Sequence, residues 1–212
     1  MIKTALEKIL KVIKDMKCSM ILSIIFIAVF IIDQITDGVL TKFGSASKYL
    51  FDNKEFWRLL TSTYLHGNVL HLLGNIAGLL LIGYTVEKRY GISLFLLFFL
   101  VPEFLTNMTQ WLITGINVSG AVGASCGIYG LLAALVITLH RDIKNTVKEF
   151  RSAFGIIRAL GILVYVGFSF GSVFNLFGHA LGFAFGTFVV TVYFLICFFR
   201  EQRKERAEDI YG

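Results

Sequence analysis

Six apolar stretches, most about the length needed to cross a bilayer, divide this chain, and almost all of its charge lies between them. They run over roughly 18–38, 67–86, 92–113, 123–140, 152–170 and 175–199. In hydrocarbon every backbone N–H and C=O must find its partner inside the protein, so a chain with this pattern folds as spanning helices. With 56% hydrophobic and 16% charged residues, a single proline (Pro102) and a mean hydropathy of +0.75, an ordinary soluble domain is excluded. The expected architecture is all-α: a polytopic membrane protein with six transmembrane helices in one unit over 18–199. An amphipathic, lysine-rich arm at 1–17 precedes it, suited to lie on an anionic leaflet, and a charged tail at 200–212 follows. The first apolar run is too long for a cleavable signal and has no small-residue cleavage site after it, so it is read as a retained helix.

Lysine and arginine set the orientation. The N-terminal arm holds five, the 87–91 turn two, the 141–151 loop four and the tail four, whereas the 114–122 and 171–174 loops hold none. Both termini are therefore expected in the cytoplasm. The exception is the 39–66 loop, which carries Lys42, Lys48, Lys54 and Arg58 on the outer side and is long enough to be a folded element. The net charge of +6 is thus topological and calls for no nucleic-acid partner; the partner is the lipid bilayer. Cys18, Cys126 and Cys197 are too few to frame disulfides.

Chemistry-bearing residues cluster at helix starts. Ser125, in GASCGIYG, and His179, in FGHALGFAFG, each open an apolar segment at the same face of the bilayer, where they can pair as nucleophile and base. Tyr129 stands one helical turn below Ser125. Cys126, Gly130 and Ala133 form a stripe of small residues on the adjacent flank. His179, Gly182 and Gly186 share a face, and a small-xxx-small pattern allows two helix backbones to approach closely. The second span opens with HGNVLHLLGN, in which His71 and Asn75 share a face while His66 is rotated from His71 by about 140°. His71 and Asn75 suit two hydrogen bonds to one acceptor, or else a buried polar pair joining helices. A zinc site is disfavoured, because the histidine pair lacks the spacing and glutamate of HExxH and no further ligand cluster accompanies it. Glu103, next to Pro102, reads as paired or protonated structural polarity. Asp33 and Asp37 read as solvated, and Arg158 as snorkelling to the inner interface.

At this point the chain resembles the rhomboid family of intramembrane serine proteases. The resemblance covers residues from about 56 to 190 and rests on four signatures in the family's order: FWR at 56–58; H-x4-H-x3-N at His66, His71 and Asn75; G-x-S at Gly123 to Ser125 followed by Tyr129; and H-x2-G-x3-G at His179, Gly182 and Gly186. VEKRYG at 86–91 is similar to a turn the family often has after its second span.

The resemblance implies the rhomboid fold, with Ser125 as nucleophile and His179 as general base. The oxyanion would be held by the Ser125 N–H with the His71 and Asn75 side chains. Tyr129 would stack on His179, and Trp57 and Arg58 would brace an outer loop that supports the site. The implied substrates are single-span membrane proteins cut in or near the transmembrane segment, and no metal or organic cofactor is implied. We place the protein in a plasma membrane of prokaryotic type with the site toward the outside; no oligomeric state follows. Cys126 departs from the family, which usually has glycine there, and this implies a slightly wider helix contact. Two other classes compete: a catalytically silent relative that binds membrane clients, and a small transporter using Glu103, Asn107 and Gln110 as a polar path.

Overall fold

The computed structural model describes Glu7 and residues 12–46, 53–114, 121–168 and 173–211. Its helices are α1 (Lys17–Ile35), α2 (Val39–Gly44), α3 (Arg58–Thr61, running into a 3-10 turn at Ser62–Tyr64), α4 (Val69–Thr114), α5 (Ser125–Arg141), α6 (Ile143–Phe150), α7 (Ala153–Phe168) and α8 (Val173–Tyr211). Among the described residues the sole extended pairing is an isolated bridge between Ala46 and Ala121. The chain is nearly all-helical, as its composition predicts. Most of the N-terminal arm, and most of the 114–122 loop, lie outside the described residues.

α4 spans 46 residues and contains a break. A straight helix of that length would measure about 69 Å, over twice the roughly 30 Å of a hydrocarbon core. Gly91 (φ 73°, ψ 176°) takes a conformation open essentially to glycine alone, and two arms meet there. A methyl group on Gly83 would lie 3.0 Å from the Phe95 ring. In a straight helix those residues would stand about 18 Å apart, so the chain folds back. By length and composition the helices able to cross a membrane are Lys17–Ile35, the two-armed Val69–Ile113 and Leu176–Arg206, and Ser125–Arg141 and Ala153–Gly167 are shorter and apolar. The protein is an integral membrane protein.

Two carboxylates shape α1. At its start Met16 offers no side-chain cap, and Glu87 of α4 accepts the Cys18 N–H (2.6 Å), the Ser19 N–H (2.9 Å) and the Ser19 hydroxyl (2.9 Å) in its place. At its end the helix stops at Ile35, short of the expected 38, with Asp37 (φ 50°) and Gly38 (φ 80°) both left-handed. Asp33 is not solvated as expected. It is buried, and its carboxylate accepts the Thr41 N–H (2.8 Å) and hydroxyl (2.6 Å), fixing α2 against the end of α1.

The core gathers around α5. Ile128 and Leu131 are sealed against Phe95, Phe98 and Phe99 of α4, with Phe26 of α1 beyond. Lipid tails are as apolar as leucine, so packing and interhelical hydrogen bonds hold these helices rather than escape from water. Arg158 shows the consequence. Instead of snorkelling it is 2% exposed, donating to the Leu81 carbonyl (3.3 Å) and the Thr85 hydroxyl, with its guanidinium 4.6 Å over the Tyr84 ring. At the C-terminus α8 continues unbroken to Tyr211, so the charged tail is an extension of the last apolar helix.

Candidate active site

α5 begins at Ser125, and its first intrahelical bond runs from the Ile128 N–H to the Ala124 carbonyl (3.0 Å). The N–H groups of Ser125, Cys126 and Gly127 therefore fall outside the helix ladder. Before them Gly123 sits at φ 117°, and its N–H donates to the Ser62 carbonyl (2.9 Å). A methyl group at Gly123 would lie 2.6 Å from the His71 ring and 3.3 Å from Asn75 Nδ2. Only glycine meets both demands, a left-handed backbone and contact with those two side chains.

His71 and Asn75 reach that point from the first turns of α4. Asn68 caps the helix, its Oδ1 accepting the His71 N–H (2.8 Å), and so sets the register that turns both side chains toward Gly123. Asn75 Nδ2 is buried and has no hydrogen-bond partner among the described residues. A buried donor without an acceptor is costly in a resting protein. His66 stands beside His71 with ring centroids 5.2 Å apart, and on its other side meets Phe26 at 5.1 Å. No group of three or more potential metal ligands occurs among the described residues.

His179, in the second turn of α8, brings Nε2 to 2.9 Å from Ser125 Oγ. Its ring lies on that of Tyr129 at 4.5 Å between centroids and 4° between planes. The glycines of α8 make this approach possible. A methyl group on Gly182 would collide with the Cys126 carbonyl oxygen, and one on Gly186 would lie 2.6 Å from Gly130 Cα and 3.1 Å from Ala133 Cβ. The Cys126 thiol turns toward Gly178, where an added methyl would stand 3.4 Å from Sγ. Gly182→Ala should therefore push α8 away from α5, since a carbonyl in a helix cannot yield as a side chain can. A misplacement of about 1 Å costs on the order of 10²-fold in rate. Turnover by Gly182→Ala at the wild-type rate would show that the contact does not set the site.

The 39–66 loop braces the segment before Ser125. Arg58, 3% exposed, donates to the carbonyls of Lys42 (3.0 Å) and Ser45 (3.1 Å) and pairs with Glu55, whereas Trp57 is exposed. Next to Ser45, Ala46 exchanges two backbone hydrogen bonds with Ala121, two residues before Gly123. The expected support role of Arg58 thus has a physical route, through loop carbonyls to the strand-like lead into α5.

Sequence reasoning overlooked Ser62 and read Glu103 as paired or protonated structural polarity, without naming its partners. Glu103 is 1% exposed; Oε2 accepts the Gly127 N–H (2.6 Å) and Oε1 accepts Asn107 Nδ2 (3.1 Å). Asn107 Nδ2 also faces the Leu59 carbonyl (3.0 Å) and the Ser62 hydroxyl (3.3 Å). A single-proline segment carrying buried Glu and Asn four apart was the available signal. These contacts, with Gln110 packed at Gly178, occupy the residues that a transporter would need for a polar path.

The fold is a helical membrane bundle with Ser125, His179, His71 and Asn75 gathered at one helix start, and comparison with known proteins identifies its family. The Rhomboid domain model matches residues 53–196. The chain belongs to the rhomboid family. It is 33% identical over 151 residues to "Rhomboid-like protease 3" of Toxoplasma gondii, covering 71% of this chain and 56% of that protein. It is 32% identical to "RHOMBOID-like protein 4" of Arabidopsis thaliana (68% of this chain, 35% of that one). To "Rhomboid protease GluP" of Bacillus subtilis it is 33% identical (62% and 24%). The chain thus spans between about a quarter and a little over half of the length of these relatives.

Proposed function

We propose that this protein is an intramembrane serine endopeptidase that cuts single-span membrane proteins in or near their transmembrane segment with a Ser125–His179 dyad. The observation that carries this is the 2.9 Å contact between Ser125 Oγ and His179 Nε2, beside an Asn75 donor with no partner among the described residues. His179 Nε2 takes the proton of Ser125 as Oγ attacks the scissile carbonyl. The oxyanion that forms is held by the Ser125 N–H, His71 and Asn75. The same imidazole then protonates the leaving amine, and it later deprotonates the water that hydrolyses the acyl-enzyme. Because a helical peptide bond is shielded by its own turn, the substrate must unwind locally before attack.

Six crossings, cytoplasmic termini and a site toward the outside of a prokaryotic plasma membrane belong to the same proposal, with 18–199 as the catalytic unit. Relatives in an apicomplexan, a plant and a bacterium are compatible with that membrane without selecting it. The testing experiment is cleavage of a generic transmembrane substrate by purified protein in liposomes, with Ser125→Ala as control. Absence of any Ser125-dependent cleavage, together with absence of fluorophosphonate labelling, would favour a silent client-binding relative.

The stacked Tyr129 ring does for His179 what a carboxylate does in soluble triads, fixing the imidazole's plane and approach. Tyr129→Phe keeps the stack and should retain most activity; Tyr129→Ala should lose much of it. Equal loss in both, measured as kcat on the same substrate, would assign the role to the hydroxyl instead.

A further inference from the structure

A helix usually begins with a Ser, Thr, Asp or Asn whose side chain accepts an N–H of the first turn. α5 lacks one. Its N-cap is Ala124, fully buried, with no side-chain cap bond. A polar residue there would have to fit a position with no exposure, between Gly123 and the nucleophile.

The missing cap comes from another helix. Glu103 Oε2, on the second arm of α4, accepts the Gly127 N–H at 2.6 Å, the third residue of α5. Both carboxyl oxygens act as acceptors, the second toward Asn107. The approach depends on two glycines and the proline. A methyl at Gly127 would stand 2.7 Å from the Phe99 ring and from its carbonyl oxygen, and one at Gly130 would meet the Pro102 ring and the Phe98 carbonyl. That carbonyl is the one Pro102, lacking an N–H, leaves without its helical donor. The α4 arm therefore lies flush on α5 at one place, and there the glutamate reaches the first turn. Gly127, with no side chain, supplies the room.

We infer that Glu103 is a positioning residue for the nucleophile: by holding the Gly127 N–H it fixes the first turn of α5 with the Ser125 N–H presented to the oxyanion and Ser125 Oγ to His179. The hold is two-sided. Asn107 ties the same carboxylate to Ser62, and the Ser62 carbonyl accepts the Gly123 N–H, so the segment from Gly123 to Gly127 is fastened at both ends. Glu87 at the start of α1 is a second instance of a glutamate from α4 capping another helix.

This inference rests on Ser125 being the nucleophile, and its test separates the two. Purified wild type, Glu103→Gln and Glu103→Met are compared by the rate at which a fluorophosphonate labels Ser125 and by kcat and KM on a transmembrane substrate. Each value is normalised to the folded fraction from thermal denaturation. Glutamine keeps an oxygen for the Gly127 N–H; methionine fills the same volume without one. Labelling rate and kcat should fall on the order of tenfold or more in Glu103→Met, and far less in Glu103→Gln, with KM unchanged in both. Glu103→Ala serves as the acceptor-free variant should the methionine not fold. Wild-type labelling per folded molecule in the acceptor-free variant, whatever its Tm, overturns the inference and leaves Glu103 purely structural. Equal loss in glutamine and methionine overturns the assignment to the Gly127 bond. A wild type that neither labels nor cleaves overturns the protease reading itself.

Discussion

Ser125→Ala should abolish cleavage while Cys126→Ala and Cys126→Gly keep it near the wild-type rate. The contest matters because a thiol is the better nucleophile and stands next in sequence. One residue along a helix turns a side chain by about 100°, and the geometry follows that rotation: Ser125 Oγ meets His179 Nε2, while Cys126 Sγ turns into the α8 contact near Gly178. Loss of the nucleophile or its base costs on the order of 10⁶ in kcat in a soluble serine protease, which for a membrane enzyme of ordinary turnover falls below detection. His179→Ala should be equally inactive, and the double variant no worse, because the two act as a unit. Cys126, being buried, should leave the enzyme insensitive to iodoacetamide. A Ser125→Ala protein that still cleaves, with Cys126→Ala dead, would reverse the assignment.

His71→Ala and Asn75→Ala should each lower turnover by on the order of 10²–10³-fold, the usual cost of one oxyanion donor, with protein level and helicity nearly unchanged. Both side chains abut the backbone at Gly123, and Asn75 Nδ2 holds a buried donor in reserve with no resting acceptor among the described residues. Asn75→Ala is expected to be the milder, since His71 and the Ser125 N–H remain. The loss should lie in kcat rather than KM, because the acceptor exists only once the carbonyl has become tetrahedral. If both variants turn over like wild type, the pair is a structural link between helices, and the site lies elsewhere.

The candidate site was unusually legible because membrane helices impose both depth and face. Apolar length fixes where a segment starts, and the 100° step fixes which residues share a side. Ser125 with Tyr129, His71 with Asn75, and His179 with Gly182 and Gly186 could all be grouped before any coordinate was known. Expectations failed where a polar group had a choice of partner. Asp33 and Arg158 both read as polar groups facing water or an interface, and each is partnered inside the protein instead. Composition cannot record that choice, because it depends on which neighbour another helix brings.

The roles given to the candidate site residues come from the family resemblance, whereas the chain by itself determined an all-helical membrane bundle, a turn near 87–91 between two spans, and which candidate residues share a helix face. Local rules suffice for these: hydrocarbon demands paired backbone, and side-chain periodicity is a property of one helix. Only the tertiary structure decided that Ser125 and His179 stand 2.9 Å apart, that Cys126 turns aside, and that Glu103 caps the helix on which Ser125 sits. Each of these depends on a contact between helices distant in sequence, set to tenths of an ångström by glycines meeting a backbone carbonyl, and no pattern within one segment encodes such a distance.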